Sequence, residues 1–231
     1  MYPIRDNVQT NKKPLVIWTL MALNLAVYLF DRGGNIFLKE SLLFNDLAMR
    51  PMSIVEVLQY RASATELVTL FTSMFLHANL PHLIGNLIFL WVFGETIEGT
   101  FGSWRLAIYY LFWGLFASAV HIYVMPTSQV PTLGASGAIG GVLGAYFLCY
   151  PGNPIKFIVF PFVFNPLVIP AWILLGIWFA AQIVLPQTGV ANWAHVGGFL
   201  AGMLTVLIMG GPVKVRAQAD LNQFDPALLE S

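Results

Sequence analysis

The chain has 231 residues, 58% of them hydrophobic and only 10% charged, where a soluble domain carries about 25% charged residues. Mean hydropathy is +0.73, and a water-facing surface cannot be covered from so few polar side chains, so the composition marks an integral membrane protein. Eleven Lys and Arg balance eleven Asp and Glu, which leaves no basic surplus to grip a phosphate backbone and disfavours nucleic acid as a partner.

A single cysteine, Cys149, excludes an intramolecular disulfide and a cysteine-rich metal cluster. Residues 1–13 carry Arg5, Asp6, Lys12 and Lys13 and read as a cytoplasmic segment. The apolar run that follows stops at Asp31 without a small-x-small cleavage site, so it is expected to stay as an anchor. With about 20 apolar residues per helical crossing, six crossings are expected at 14–30, 74–93, 106–125, 136–150, 167–185 and 193–209. They form one domain over 14–210, an all-α membrane bundle, followed by a polar cytoplasmic tail over 211–231. The long first loop holds a helical stretch at 52–60, where Ile54, Val55 and Leu58 recur at helix spacing, and it is expected to lie in the membrane interface.

Basic residues in short loops set the orientation. With a cytoplasmic N-terminus, the inside set is Arg5, Lys12, Lys13, Arg105, Lys156, Lys214 and Arg216, so both termini are assigned to the cytoplasm. The fourth crossing is too short: Pro151-Gly152-Asn153-Pro154 stops it, and a helix from Ser136 to Tyr150 reaches only about 22 Å. Ser136 then starts below the outer surface. The irregular backbone before it must dip into the membrane, which is tolerated only where protein or a wet cavity supplies hydrogen bonds.

Polar residues inside such segments are costly and are functional candidates by default. Here they are His77, His82, Asn86, His121, Ser136 and His195. The apolar runs contain no paired carboxylates, which disfavours a proton-relay pump and an intramembrane aspartyl protease, and no H-E-x-x-H string exists for a zinc protease. No metal or cofactor is expected. Ser136, in Gly134-Ala135-Ser136-Gly137, sits at the first turn of a helix, where free amides and the positive dipole end favour an oxyanion; a serine there also fits a helix N-cap. His195 alone also fits a packed or haem-ligating histidine. Ser136, Gly140 and Gly144 recur every four residues, and His195, Gly198 and Gly202 at three and four, so each polar residue heads a glycine stripe. Two such stripes packed together bring hydroxyl and imidazole to one depth as a Ser-His dyad, with His as general base and then acid. His82 and Asn86, four apart, share a face and could donate to an oxyanion, or could form an interhelical hydrogen-bond pair.

The strings Phe75-Leu76-His77, His82-x-x-x-Asn86, Gly134-Ala135-Ser136-Gly137-Ala138 and Ala194-His195-Val196-Gly197-Gly198 with Gly202 fall in order across 71–209. In these strings the chain resembles the rhomboid intramembrane serine proteases. The resemblance implies Ser136 as nucleophile, His195 as base, and the Ser136 amide with His82 and Asn86 as the oxyanion site, acting on transmembrane protein substrates within membrane lipid. Two positions depart from the family pattern: Val68-Thr69 stand where many relatives carry a Trp-Arg pair, and Gly140 stands where some carry an aromatic ring that stacks on the histidine. The group that orients His195 must therefore come from elsewhere.

Two other classes compete. A haem-binding electron carrier would use pairs among the four histidines, but has no use for Gly-Ala-Ser-Gly at a submerged helix start. A non-proteolytic rhomboid-like binder would hold membrane clients without cutting them. A buried nucleophile also needs its target to arrive sideways from lipid. The fifth crossing carries no polar residue before Gln182, so Trp172, Trp178 and Phe179 are expected to plug a substrate gate, with 186–192 as a hinged cap over Ser136. His121, with no motif around it, is expected to be structural or to face the interface.

Overall fold

The computed structural model describes residues 2–8, 13–34, 41, 43–159, 163–185, 187 and 189–223. Of the expected cap over 186–192, positions 186 and 188 lie outside the described residues.

A short strand β1 (Tyr2–Arg5) precedes helix α1 (Leu15–Asp31). The first amides of α1 find no intrahelical acceptor, and Glu98, only 3% exposed, serves them: its carboxylate accepts from Ile17 N at 2.8 Å, from Val16 N at 3.0 Å and from the Ser103 hydroxyl at 2.6 Å. Helix α2 (Pro51–Leu58) occupies the stretch expected to be helical in the first loop, with proline at its start, where a missing N–H costs nothing. Short helical turns over Ala64–Val68, Thr69–Thr72 and Ser73–Phe75 lead to helix α3 (Leu80–Phe101), which is interrupted by a wide π turn at Leu90–Gly94. Next come α4 (Ser103–Val124), α5 (Ser136–Cys149), strands β2 (Pro154–Val159) and β3 (Val163–Pro170), α6 (Ala171–Val184), α7 (Asn192–Ile208) and α8 (Pro212–Gln223).

Helices α3 and α4, of 22 residues each, are long and apolar enough to cross a membrane. Helices α7 and α8 meet that test as a pair bent by 75°. The apolar helices α1, α5 and α6 are shorter.

Four expectations need correction. The second crossing starts at Leu80 rather than 74, because Asn79 caps it, accepting from His82 N at 2.9 Å, and Pro81 follows in the first turn. The fifth begins at Ala171 rather than 167; Pro170 disfavours helical backbone at the residue before it, and 167–170 belong to β3. The bundle is not wholly helical, since β1, β2 and β3 form an antiparallel sheet in that order. Its signal was a period of two: Ile155 and Phe157 are buried and Lys156 is exposed. The tail beyond 210 is also more than a polar extension, because α8 packs on α3 and α5 with Val215 and Ala219 buried.

Helix α5 is packed between α4 and α7, and glycine makes this possible. A Cβ on Gly198 would lie 1.9 Å from the Gly137 carbonyl oxygen, one on Gly202 1.9 Å from that of Gly141, and one on Gly144 1.9 Å from that of Phe199. Backbone therefore touches backbone along both stripes. On the α4 side, Trp113 lies over Gly141 and donates its indole N–H to the Thr205 hydroxyl of α7 at 2.9 Å. The sheet follows the Cys149 end of α5, opposite Ser136, and β1 packs from there against the Leu80–Phe89 half of α3, with Pro3 lining a cavity that reaches His195. The N-terminal segment is tied down by Asp6, whose carboxylate accepts from the Thr96 and Tyr146 hydroxyls.

Candidate active site

Ser136 and His195 meet where the glycine stripes start. The Ser136 hydroxyl is 2.8 Å from His195 Nε2. Helix α5 is capped at Ala135 without a side-chain hydrogen bond, so Ser136 is its first helical residue and its hydroxyl turns to the histidine instead of capping. At that position its amide has no intrahelical acceptor and remains available to a ligand.

The residue that feeds this turn is Gly134, for two reasons. Its φ is +119°, a conformation that side chains rarely tolerate, and a Cβ there would lie 2.8 Å from His82 Nε2. Its amide donates to the Ser73 carbonyl at 2.8 Å. The bare Gly134 backbone thus lets the His82 ring of α3 close over the approach to Ser136. Asn86, one helical turn further along α3, is 7% exposed and its amide Nδ2 is buried without a hydrogen-bond partner. A buried unsatisfied donor costs about 1–3 kcal/mol, and this one lines the same cavity as Ser136 and His195. That cavity has a volume of about 640 Å³, with walls from α3, the 130–133 backbone, α5, Trp178 and 189–191.

His195 is held on its other side by α6. Gln182 Oε1 is 2.7 Å from His195 Nδ1, and the Trp178 ring lies against the imidazole with centroids 5.6 Å apart. Trp178 takes the place left empty by Gly140, whose own Cβ position is blocked by the His195 carbonyl at 2.9 Å. The three expected gate aromatics do not share one face. Trp178 lines the cavity, Phe179 stacks on Phe199 of α7 with centroids 4.6 Å apart, and Trp172 is 54% exposed. A second cavity of about 300 Å³ continues between α3 and α6 from His195 past Trp178, Phe89 and Ile177.

Arg32 is a residue that sequence reasoning passed over. Only 1% exposed, it donates through Nη2 to the carbonyls of His77 at 3.0 Å and Ala78 at 2.9 Å, pairs with Asp31 at 3.6 Å and lies over the Tyr28 ring. Those carbonyls immediately precede the cap of α3, so Arg32 fixes the segment that delivers His82 and Asn86. Its signal was an Arg at the very end of an apolar run. The first loop is further tied to the strand-like backbone before Ser136 by paired bonds, Met49 N to Thr132 O at 3.1 Å and Thr132 N to Met49 O at 2.7 Å. His77 sits edge-on to His82 at 5.2 Å, and His121 lines a separate cavity of about 250 Å³ on the α4 side of 189–193.

A family model described as Rhomboid domain matches residues 64–212. The chain is 26% identical over 216 residues to Rhomboid-like protein 11, chloroplastic, of Arabidopsis thaliana, covering 89% of this chain and 69% of that protein. It is 31% identical over 143 residues to Rhomboid protease GluP of Bacillus subtilis (strain 168), covering 62% of this chain and 26% of the relative. With Rhomboid protein 1, mitochondrial, of Saccharomyces cerevisiae (strain ATCC 204508 / S288c) it shares 29% identity over 144 residues, 61% of this chain and 41% of that protein.

Proposed function

This chain belongs to the rhomboid family, and on that footing we propose that it is an intramembrane serine endopeptidase acting on transmembrane protein substrates. The single observation that carries the reading is the 2.8 Å approach of the Ser136 hydroxyl to His195 Nε2. Nε2 takes the hydroxyl proton as Ser136 attacks the scissile carbonyl, and returns it to the leaving amine; a water then repeats the cycle on the acyl-enzyme. The negative oxygen is met by the Ser136 amide, the unpartnered Asn86 Nδ2 and His82.

Six crossings with both termini in the cytoplasm fit the excess of basic residues at the sheet end, where Arg5 and Lys156 are paired in register. In that topology α5, of 14 residues, spans about 21 Å and leaves Ser136 below the opposite surface. A substrate must then arrive laterally. The cavity between α3 and α6 gives it a path, and α6 is the gate. Trp178, seated on His195, serves the base as well as the gap, so trimming it slows cleavage where a simple plug would have speeded it.

The test is fluorophosphonate labelling and cleavage of a single-pass substrate by the purified protein, with Ser136→Ala and His195→Ala alongside. Labelling and cleavage are both lost in each variant if the dyad operates. Cleavage at the wild-type rate in either variant overturns the assignment, and substrate binding without cleavage by the wild type makes the chain a binder.

A further inference from the structure

We propose that Gln182 is a positioning residue that arms His195 as a base, and that it does so only while helix α6 is seated against the bundle. The proposal rests on the dyad reading and adds a third member supplied by the gate.

The orientation of the Gln182 amide is determined by its surroundings. Its Nε2 lies 3.2 Å from the Trp178 carbonyl oxygen and its Oε1 2.7 Å from His195 Nδ1. A carbonyl can only accept, so the NH₂ group must face Trp178, and Oε1 is left to face the imidazole. Oε1 is also an acceptor only, so Nδ1 must carry the ring proton. A neutral imidazole has one ring proton, which leaves Nε2 bare and pointed at the Ser136 hydroxyl, the tautomer a general base needs. The other tautomer would place two acceptors 2.7 Å apart. Once Nε2 has taken the serine proton, the Nδ1–H bond to Oε1 also stabilises the imidazolium.

The support for His195 is carried by a helix whose start is held by backbone hydrogen bonds and whose far half is seated on α7 through the Phe179–Phe199 stack. The first amides of α6 are held by the turn after α5, Ala171 N donating to Asn153 O at 2.8 Å and Trp172 N to Pro151 O at 3.0 Å. Gln182 and Trp178 lie toward the opposite end, where a swing away from α3 moves them furthest. Hydrogen bonds fail with about 1 Å of lengthening, so an outward swing removes both the acceptor and the ring from His195. An open gate therefore admits substrate while the base is disarmed, and cleavage follows when α6 returns.

The test uses the full chain, purified, with a short soluble fluorogenic peptide as substrate. Gln182→Met keeps the shape and removes the acceptor; Gln182→Glu keeps an acceptor and adds charge. The titratable neighbours of His195 are His82 on α3 and His121 on α4, both unchanged in these variants. Gln182→Met is expected to lower kcat by about 10- to 100-fold, the scale seen when a partner that orients a histidine is removed, with KM within about twofold and melting near wild type. Gln182→Glu is expected to recover most of kcat and to move the acidic limb of its pH profile upward, because a carboxylate beside Nδ1 favours the imidazolium. Wild-type kcat in Gln182→Met, with Ser136→Ala inactive, overturns the proposal and leaves the dyad standing; activity in Ser136→Ala overturns the dyad itself. Should Gln182→Met fail to fold, Gln182→Glu decides: an acidic limb that does not move assigns Gln182 to packing alone.

Discussion

Replacing Gly202 by alanine adds one carbon at the point where α7 touches α5, two turns from the dyad. An ideal Cβ there lies 1.9 Å from the Gly141 carbonyl oxygen, 2.7 Å from its carbonyl carbon and 2.9 Å from the Ala145 amide nitrogen. A carbon needs about 3.3 Å from such an oxygen, so the helices must part by about 1.4 Å at this point. The obstructing atoms are backbone on both sides, and no side-chain rotation relieves them. Overpacking costs about 1–3 kcal/mol, and this rigid contact belongs at the upper end, which corresponds to a fall in melting temperature of roughly 6–12 °C for a chain of this length. Ser136 and His195 are carried by the two helices being wedged apart, and a displacement of about 1 Å at a catalytic contact costs about 10²-fold in rate. The assay is thermal unfolding in detergent with kcat on a soluble peptide, and Gly152→Ala, where a Cβ meets nothing within 4 Å, is the control. Wild-type melting and turnover in Gly202→Ala would refute the backbone contact.

The remaining predictions concern the walls of the site. Asn86→Ala and His82→Ala should each lower kcat by about 10²-fold, the scale of one lost oxyanion donor, with KM little changed; unaltered rates in both would return the pair to a structural role. Arg32→Met should destabilise the fold by about 3 kcal/mol by leaving the Asp31 carboxylate and two carbonyls without their buried cation. Lysine should not restore it, because a point charge does not reproduce the guanidinium's planar set of donors, and a melting curve like that of wild type in Arg32→Met would refute the anchor. A crosslink between Phe89→Cys on α3 and Ile177→Cys on α6 should block cleavage of a membrane-embedded substrate and spare a soluble peptide. Undiminished cleavage of the embedded substrate by the locked protein would place its path elsewhere.

Composition alone placed this chain in a membrane, because so few charged residues cannot clothe a soluble domain. Local spacing singled out Ser136 and His195, since each heads a glycine stripe, and a stripe on one helix reads directly from every third or fourth residue. The helix starts were less legible: the Asn79 cap with Pro81 moved the second crossing to Leu80, and Pro170 shortened the fifth. The sheet escaped notice because apolar β-branched runs read equally as helix or strand in a hydrophobic chain, and because β1 and β2 are about 150 residues apart along the sequence. Sequence spacing also could not name what orients His195. In the sequence Trp178 reads as one of three gate aromatics and Gln182 as the tail of an apolar run, and only the seating of α6 on α7 turns them toward the imidazole. The same is true of Arg32, a loop charge until the fold wraps the His77 and Ala78 carbonyls around it. Contacts along one helix follow from its repeat, whereas those between helices depend on packing distances that the repeat does not contain.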